Sequence, residues 1–530
     1  MPKTYIRKAT ALEKTCVVLT ATCLTFALSQ QAASQSISQA IWQQSVPLQK
    51  SDNMGYMSDT FLDFAPPDRW QPFKPEERGL FRQHAWDVWV QTMQPLGEEF
   101  EAWAGWPMVR TWNTISQIMA LADQTVASAP SAASPSEIVE THRFHSLARQ
   151  FPNVESGSYN YRSIPTVDDF GTVQCAGYYS DMIGDGAFFQ SNGDIMIPIE
   201  SFSQPAFDYI KTNRLSSSDG LAGTEIDFPQ GTVITKQMLW PIMRDQITVV
   251  PVWLVQSDSI WNNQFPESSN GLYSGYEMWD SVIGIAPPGV SPEPVDDYSY
   301  LFADLTPHNG AKPIKTPIKV LLEANDVYDL ESFYFAPVSA KFLDHMSEAD
   351  LALLNASSCF ANGRQIQEGD YFLTVAMHVI TKEVEPWTMQ SAWLSTQGQS
   401  RDVIYSADRT SATSQGPALN YLMTESSNIL EEDGSLAIAV NPYIEGVIHP
   451  LATSCRNCHT RASWPRKNTA FPDGATEQRH VANFPECYSL LSSLRLPNDP
   501  DISELEKQCY GWKAKMTDMS WSLADRVKSP

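Results

Sequence analysis

Histidine and cysteine are scarce in this chain, nine and eight residues in 530. Positive charge is short as well. Lys and Arg total 36 against 61 Asp and Glu, a net charge of −25 at pH 7. So acidic a chain is repelled by nucleic acid and by anionic lipid surfaces. It can attract a basic redox partner protein, although an acidic balance also serves solubility alone. After residue 33 no stretch approaches the roughly 18 consecutive apolar residues that a membrane helix requires, so a soluble mature chain is expected. There is no Gly-rich phosphate loop, no His-Glu-x-x-His zinc helix, no Gly-x-Ser-x-Gly elbow and no repeat of fixed period. What remains is an ordinary globular composition, 42% hydrophobic and 18% charged, able to bury a core. At ~150 residues per domain the length implies three or four domains, or fewer with one large one.

The N-terminus sets the expected compartment. Lys3, Arg7, Lys8 and Lys14 precede an apolar run from Cys16 to Leu28, the size of a signal-peptide core rather than of a span. Ala27-Leu28-Ser29 and Ala32-Ala33 are candidate cleavage sites, and residues 1–33 are read as a signal peptide. Cys23 follows Thr20-Ala21-Thr22 and lacks a lipobox. Cleavage predicts an exported, periplasmic, soluble protein. Of the cysteines beyond residue 33, Cys175, Cys359, Cys487 and Cys509 form an even set in an oxidising compartment. Cys487–Cys509 and Cys175–Cys359 are the pairings most economical in loop closure, and two other connectivities stay open.

The expected fold class is α+β: a helical N-terminal region (34–126), a linker (127–163), a mainly antiparallel β domain with helical insertions (164–436) and a small helical C-terminal module (437–530). Phe81, Ala85, Val88, Trp89 and Met93 recur at helical spacing through Glu77–Met93, stopped by Pro95. Further helices are predicted over Glu98–Trp103, Val109–Val126 and Met346–Ala356. His84, on the first helix, reads as a surface or packing histidine. The linker reads ASAPSAASPS over Ala127–Ser136. Ala187–Gln190 and Ile195–Ile199 flank a hairpin turn, and Thr232–Leu239, Ile247–Val255, Ser281–Ile285 and Lys319–Glu323 are candidate strands. Tyr371–Val384 places Phe372, Thr374, Ala376, His378 and Ile380 on one side and Leu373, Val375, Met377 and Val379 on the other. Both sides are fairly apolar, which predicts a central strand. Asp296-Asp297 and Glu431-Glu432-Asp433 read as solvated loops.

One stretch carries legible chemistry: Ser454-Cys455-Arg456-Asn457-Cys458-His459. Two thiols two residues apart, with a histidine directly after the second, form the attachment pattern of c-type haem. Cys455 and Cys458 would add across the haem vinyl groups, and His459 would become the proximal ligand of the haem iron. Chance placement of the available Cys and His gives about 0.002 such matches. A reduced Cys-x-x-Cys redox pair or half of a zinc site are the alternatives. Zinc requires two more ligands at similar spacing, and Cys487 and Cys509 stand apart. The attachment helix is expected to begin near Thr453 or Ser454 and to end at Trp464-Pro465. Helices over Phe484–Leu494 and Ile502–Lys515 would then cover the haem plane.

An exported chain with one Cys-x-x-Cys-His and about 70 residues of loop and helix after it resembles bacterial mono-haem cytochrome c proteins. The ending Met516-Thr517-Asp518-Met519-Ser520-Trp521-Ser522-Leu523 is similar to that of a large-chain group in which a long non-haem region precedes a short haem tail. The resemblance implies a distal methionine, with Met516 and Met519 suitably spaced. His480 is the alternative distal ligand, His449 another, and an open sixth position a third. Electron transfer through one covalent haem c is the expected function. One alternative is an oxidoreductase whose large domain binds substrate and passes electrons to the haem. In that case His378, which otherwise reads as a hydrogen-bonded core histidine, is the first residue to mutate. The other alternative is a haem-based sensor or binding protein. No catalytic residue can be named from the sequence.

Overall fold

The computed structural model describes residues 50–51, 54–55, 78–115, 117–119, 197–250, 253–254, 283–303, 314–346, 362–383, 387–395 and 416–426, with shorter pieces between 351 and 358 and between 439 and 527. Residues 1–49 and 120–196, hence the stretches expected to be a signal peptide, a linker and the Ala187–Gln190 arm of a hairpin, lie outside this set. So do His480, His449, Met519, Cys175, Cys359, Cys487 and Cys509.

After a small ribbon of β1 (Lys50–Ser51) and β2 (Met54–Gly55), α1 spans Arg78–Thr92. Its spacing of apolar residues builds a helix whose Phe81, Ala85, Val88 and Trp89 are buried, and the Thr92 hydroxyl closes it by donating to Trp89 O at 2.6 Å. The main sheet has seven strands: β3 (Asn113–Thr114), β4 (Ile197–Phe202), β5 (Val233–Ile242), β12 (Phe335–Pro337), β13 (Tyr371–Thr381), β14 (Thr388–Leu394) and β15 (Tyr421–Ser426). The order is β15-β14-β13-β5-β4-β3, all antiparallel, with β12 pairing the first residues of β13. Two smaller sheets contain β6 (Thr248–Val250), β8 (Ile283–Ala286) and β11 (Val327–Asp329), and β7 (Trp253–Leu254), β9 (Val295–Ala303) and β10 (Ile314–Leu322). Each includes one parallel pair. The described residues are thus mixed α and β with predominantly antiparallel sheets, and Tyr371–Thr381 is the central strand that its two apolar sides predict.

The main sheet is covered on both faces. On one, α1 packs over Met377 and Val379, and Trp89 Nε1 donates to Met377 O at 3.2 Å. Trp89 also meets Tyr421 and Tyr334, with ring centroids 5.0 and 5.4 Å away. Ten consecutive α1-region positions, 84–93, are buried, polar ones included. A buried polar group needs a partner, and the sheet supplies them. His84 Nε2 bonds Glu383 Oε2 at 2.7 Å, and Arg82 Nε donates to Glu425 Oε1 at 2.6 Å. His84 is therefore a buried packing histidine.

On the other face, Phe202, Ile234, Ile380 and Met389 join one apolar cluster with Ala206 and Ile210 of α2 (Gln204–Thr212), Leu221 of α3 (Ser218–Gly223), and C-terminal residues. Ser217 caps α3 by accepting from Gly220 N at 3.2 Å. A further short helix, α4 (Ala340–His345), lays Phe342 on Trp106 with centroids 4.6 Å apart.

Five expectations are corrected. The helix expected over Val109–Val126 is broken at its start, because Asn113 and Thr114 pair with Phe202 and Ser201 as an edge strand; Ile115 and Gln117–Met119 are helical. Pairing to the sheet overrides local helical spacing there. Asp296-Asp297 lies on β9, paired to Leu321 and Val320, and not in a loop. Strict alternation along β13 fails, since the register shifts between Thr374 and Ala376. The inserted Val375 is a bulge that puts Phe372 and Thr374 on the α1 face with Met377, opposite His378. The attachment helix stops short of Trp464, which is on a strand, and Lys515 is on a strand and not at a helix end.

Candidate functional site

The Cys-x-x-Cys-His stretch forms α5 (Cys455–His459). Five residues cannot sustain a helix by themselves, so its neighbours must hold it. Cys455 N donates to Ala439 O at 2.7 Å before the turn, and Ala462 N to His459 O at 3.0 Å after it. Next, β16 (Ser463–Trp464) pairs with β17 (Lys515–Met516), Ser463 opposite Met516. Thr517 N extends this bond pattern to Ala462 O at 2.9 Å, and Trp464 Nε1 donates to Val527 O at 3.1 Å.

One helical turn explains the motif's spacing. Positions three and four apart share a helix face. Cys455 therefore shares a side with both Cys458 and His459. Cys455 is 7% exposed and lies in the cluster formed by Trp464, Leu523, Val527, Ile380 and Met389. His459 is half-buried.

The half-buried imidazole meets His378 of β13. The two Nε2 atoms are 3.1 Å apart. The ring centroids are 4.9 Å apart with planes 27° from parallel. The nitrogens are closer than the ring centres, so the Nε2 corners face each other. His378 is 5% exposed and sits in the ladder between Lys236 of β5 and Ser391 of β14. Burial first, then the neighbouring His459 and Lys236, lowers its pKa well below the ordinary histidine value. It is held as neutral imidazole, the form that binds metals.

The C-terminal residues are pinned to the same sheet face. Asp518, in the left-handed region at φ 47°, accepts from Phe228 N at 2.7 Å, Lys382 Nζ at 2.6 Å and Trp387 Nε1 at 3.0 Å. Lys382 also bonds Asp227. Asn441 Nδ2 donates to Ser391 Oγ at 2.8 Å, beside His378 in the sheet. The α5 turn, the β16–β17 pair and the central sheet thus converge.

Of the residues singled out from sequence, Cys455 and His459 lie in this convergence, Cys458 is on the same helical turn, and Met516 is on β17. Met519 and His480 fall outside the described residues. Sequence reasoning missed the meeting of His378 with His459 and the Asp518 anchor. The single available signal for the first was a histidine inside an otherwise apolar strand. Among the described residues there is no group of three or more His, Cys, Asp or Glu able to hold a bare metal ion. The groups gathered here are the Cys455 thiol in its apolar cluster and the facing imidazoles of His378 and His459. No helix among the described residues is long and apolar enough to cross a membrane. No protein family, curated protein or solved structure matches the chain.

Proposed function

We propose that this is an exported electron-transfer protein carrying one covalent haem c on Cys455 and Cys458, with His459 as an axial ligand. The observation that carries the reading is the single helical turn Cys455–His459, which sets the thiol of Cys455 against an apolar wall and His459 against the buried His378. Bound there, the haem supplies one-electron Fe(II)/Fe(III) chemistry. The chain's own residues tether and tune it. Cys455 and Cys458 fix its position, His459 orients it, and Trp464, Leu523 and Val527 keep water from that side. Burial of this kind is one of the levers that set reduction potential. The net charge of −25 favours a basic redox partner, with an association rate that falls as salt rises.

The test is covalent haem. Full-length protein from a host that matures cytochromes c is denatured and scored for peptide-bound haem. Wild type retains haem on the polypeptide, and Cys455→Ser with Cys458→Ser abolishes it. Haem-free wild-type polypeptide from such a host sinks the reading.

A further inference from the structure

We infer that His378 is the second axial ligand, so that the central sheet and the attachment helix grip the iron from opposite sides. The inference rests on the haem reading above and names the ligand which that reading leaves open.

Three observations carry it. The first is orientation. His378 Nε2 faces His459 Nε2 at 3.1 Å, corner to corner. In this contact one ring nitrogen donates and the other accepts. The same two corners, each with its proton moved to Nδ1, present two lone pairs to one point between them. The second is rigidity. β13 is bonded along both edges at this position, to Lys236 on one side and Ser391 on the other, so His378 is a fixed post. Two metal–nitrogen bonds of about 2 Å each, end to end, exceed the contact seen. His459, on a five-residue helix, is the partner able to yield. The third is setting. His378 and Ile380 lie two apart on one sheet face, and Ile380 joins the cluster that buries Cys455. The thiol and both imidazoles therefore border one space.

Two imidazoles give a six-coordinate site with a lower potential than an imidazole–thioether pair. The large region preceding the motif thus becomes part of the redox centre rather than an appendage to it.

The test is optical and magnetic spectroscopy of the full-length holoprotein, with a redox titration and added CO. Wild type should be low-spin in both oxidation states, without the weak red thioether band, and inert to CO. His378→Ala should become high-spin and bind CO stoichiometrically when ferrous, and added imidazole should restore the wild-type spectrum. His378→Met, which keeps side-chain bulk, decides independently of how the Ala variant folds: it should gain the thioether band and titrate at a higher potential. His480→Ala and the Met516→Leu, Met519→Leu double variant should leave the spectrum unchanged. A wild-type spectrum and potential in His378→Met, or a thioether band in wild type, overturns the assignment while covalent haem, and with it the proposed function, stands.

Discussion

The two faces of the main sheet are closed in different ways. On one, a single 15-residue helix, α1, lies across the strands and brings Trp86, Trp89 and Phe81 with it. Burial of those side chains against the sheet is what chiefly holds it. Polar pairs such as His84–Glu383 satisfy what burial would otherwise strand. On the other face the described cover includes α2, α3 and the turn of α5, with C-terminal residues joined by hydrogen bonds at Asn441, Asp518 and Val527. Those pieces are placed by directed hydrogen bonds and by one apolar cluster. One face thus rests on one long helix and its aromatic side chains, the other on shorter described elements gathered round one apolar cluster that includes Cys455.

Substitutions on each side test that contrast. The largest effect is expected from Trp89→Ala, which removes a fully buried indole together with its bond to Met377 O and should cost about 3–5 kcal/mol. It should appear as a large fall in the urea midpoint with global loss of far-UV dichroism. Asp518→Ala comes next. It strips three hydrogen bonds, two of them from Lys382 and Trp387, and leaves a buried ammonium with Asp227 as its remaining acceptor among those described. A cost of about 2–3 kcal/mol follows for losing charged hydrogen bonds. Hydrogen exchange should accelerate around 455–464 and 515–527 while α1 amides stay protected. Uniform acceleration across both faces would show one cooperative unit and break the distinction.

The smallest expected effect is alkaline. Burial raises the Tyr334 pKa from 10.0 to about 12. The unfolded chain therefore loses this proton above pH 10 while the native chain keeps it. The unfolded state then binds fewer protons, and stability falls as pH rises between 10 and about 12. Tyr334→Phe should flatten that part of a Tm-against-pH curve. The change should come through the α1 face, since Tyr334 packs on Trp89.

Much of the α1 face was legible in the sequence. Helical spacing named Phe81, Ala85, Val88 and Trp89, and two-sided apolarity marked Tyr371–Val384 as a central strand, of which Tyr371–Thr381 forms. These are local periodicities, fixed by the geometry of one element. The Cys-x-x-Cys-His pattern stood out because it is confined to five consecutive residues. The rest of the site was not. His378 and His459 are 81 residues apart, and a lone histidine has no spacing to read. Asp518 is one acidic residue among 61 Asp and Glu, and nothing local marks the one that meets Lys382. The helix expected through Asn113 failed because pairing with β4 is a long-range term that no window of sequence contains.

The bulge at Val375 bears on how this site tolerates change over generations. Upstream of it, β13 presents Phe372 and Thr374 to α1; downstream, His378 looks the other way, toward Cys455–His459. The strand's two ends are aimed independently by a single inserted residue. Point substitutions can alter what His378 is, but they cannot turn it around. Loss of one codon near Val375 would do so in a single step, or would instead turn over the aromatic end of the strand. Length at this position is therefore the property a lineage of such chains has to preserve, whatever residue occupies it.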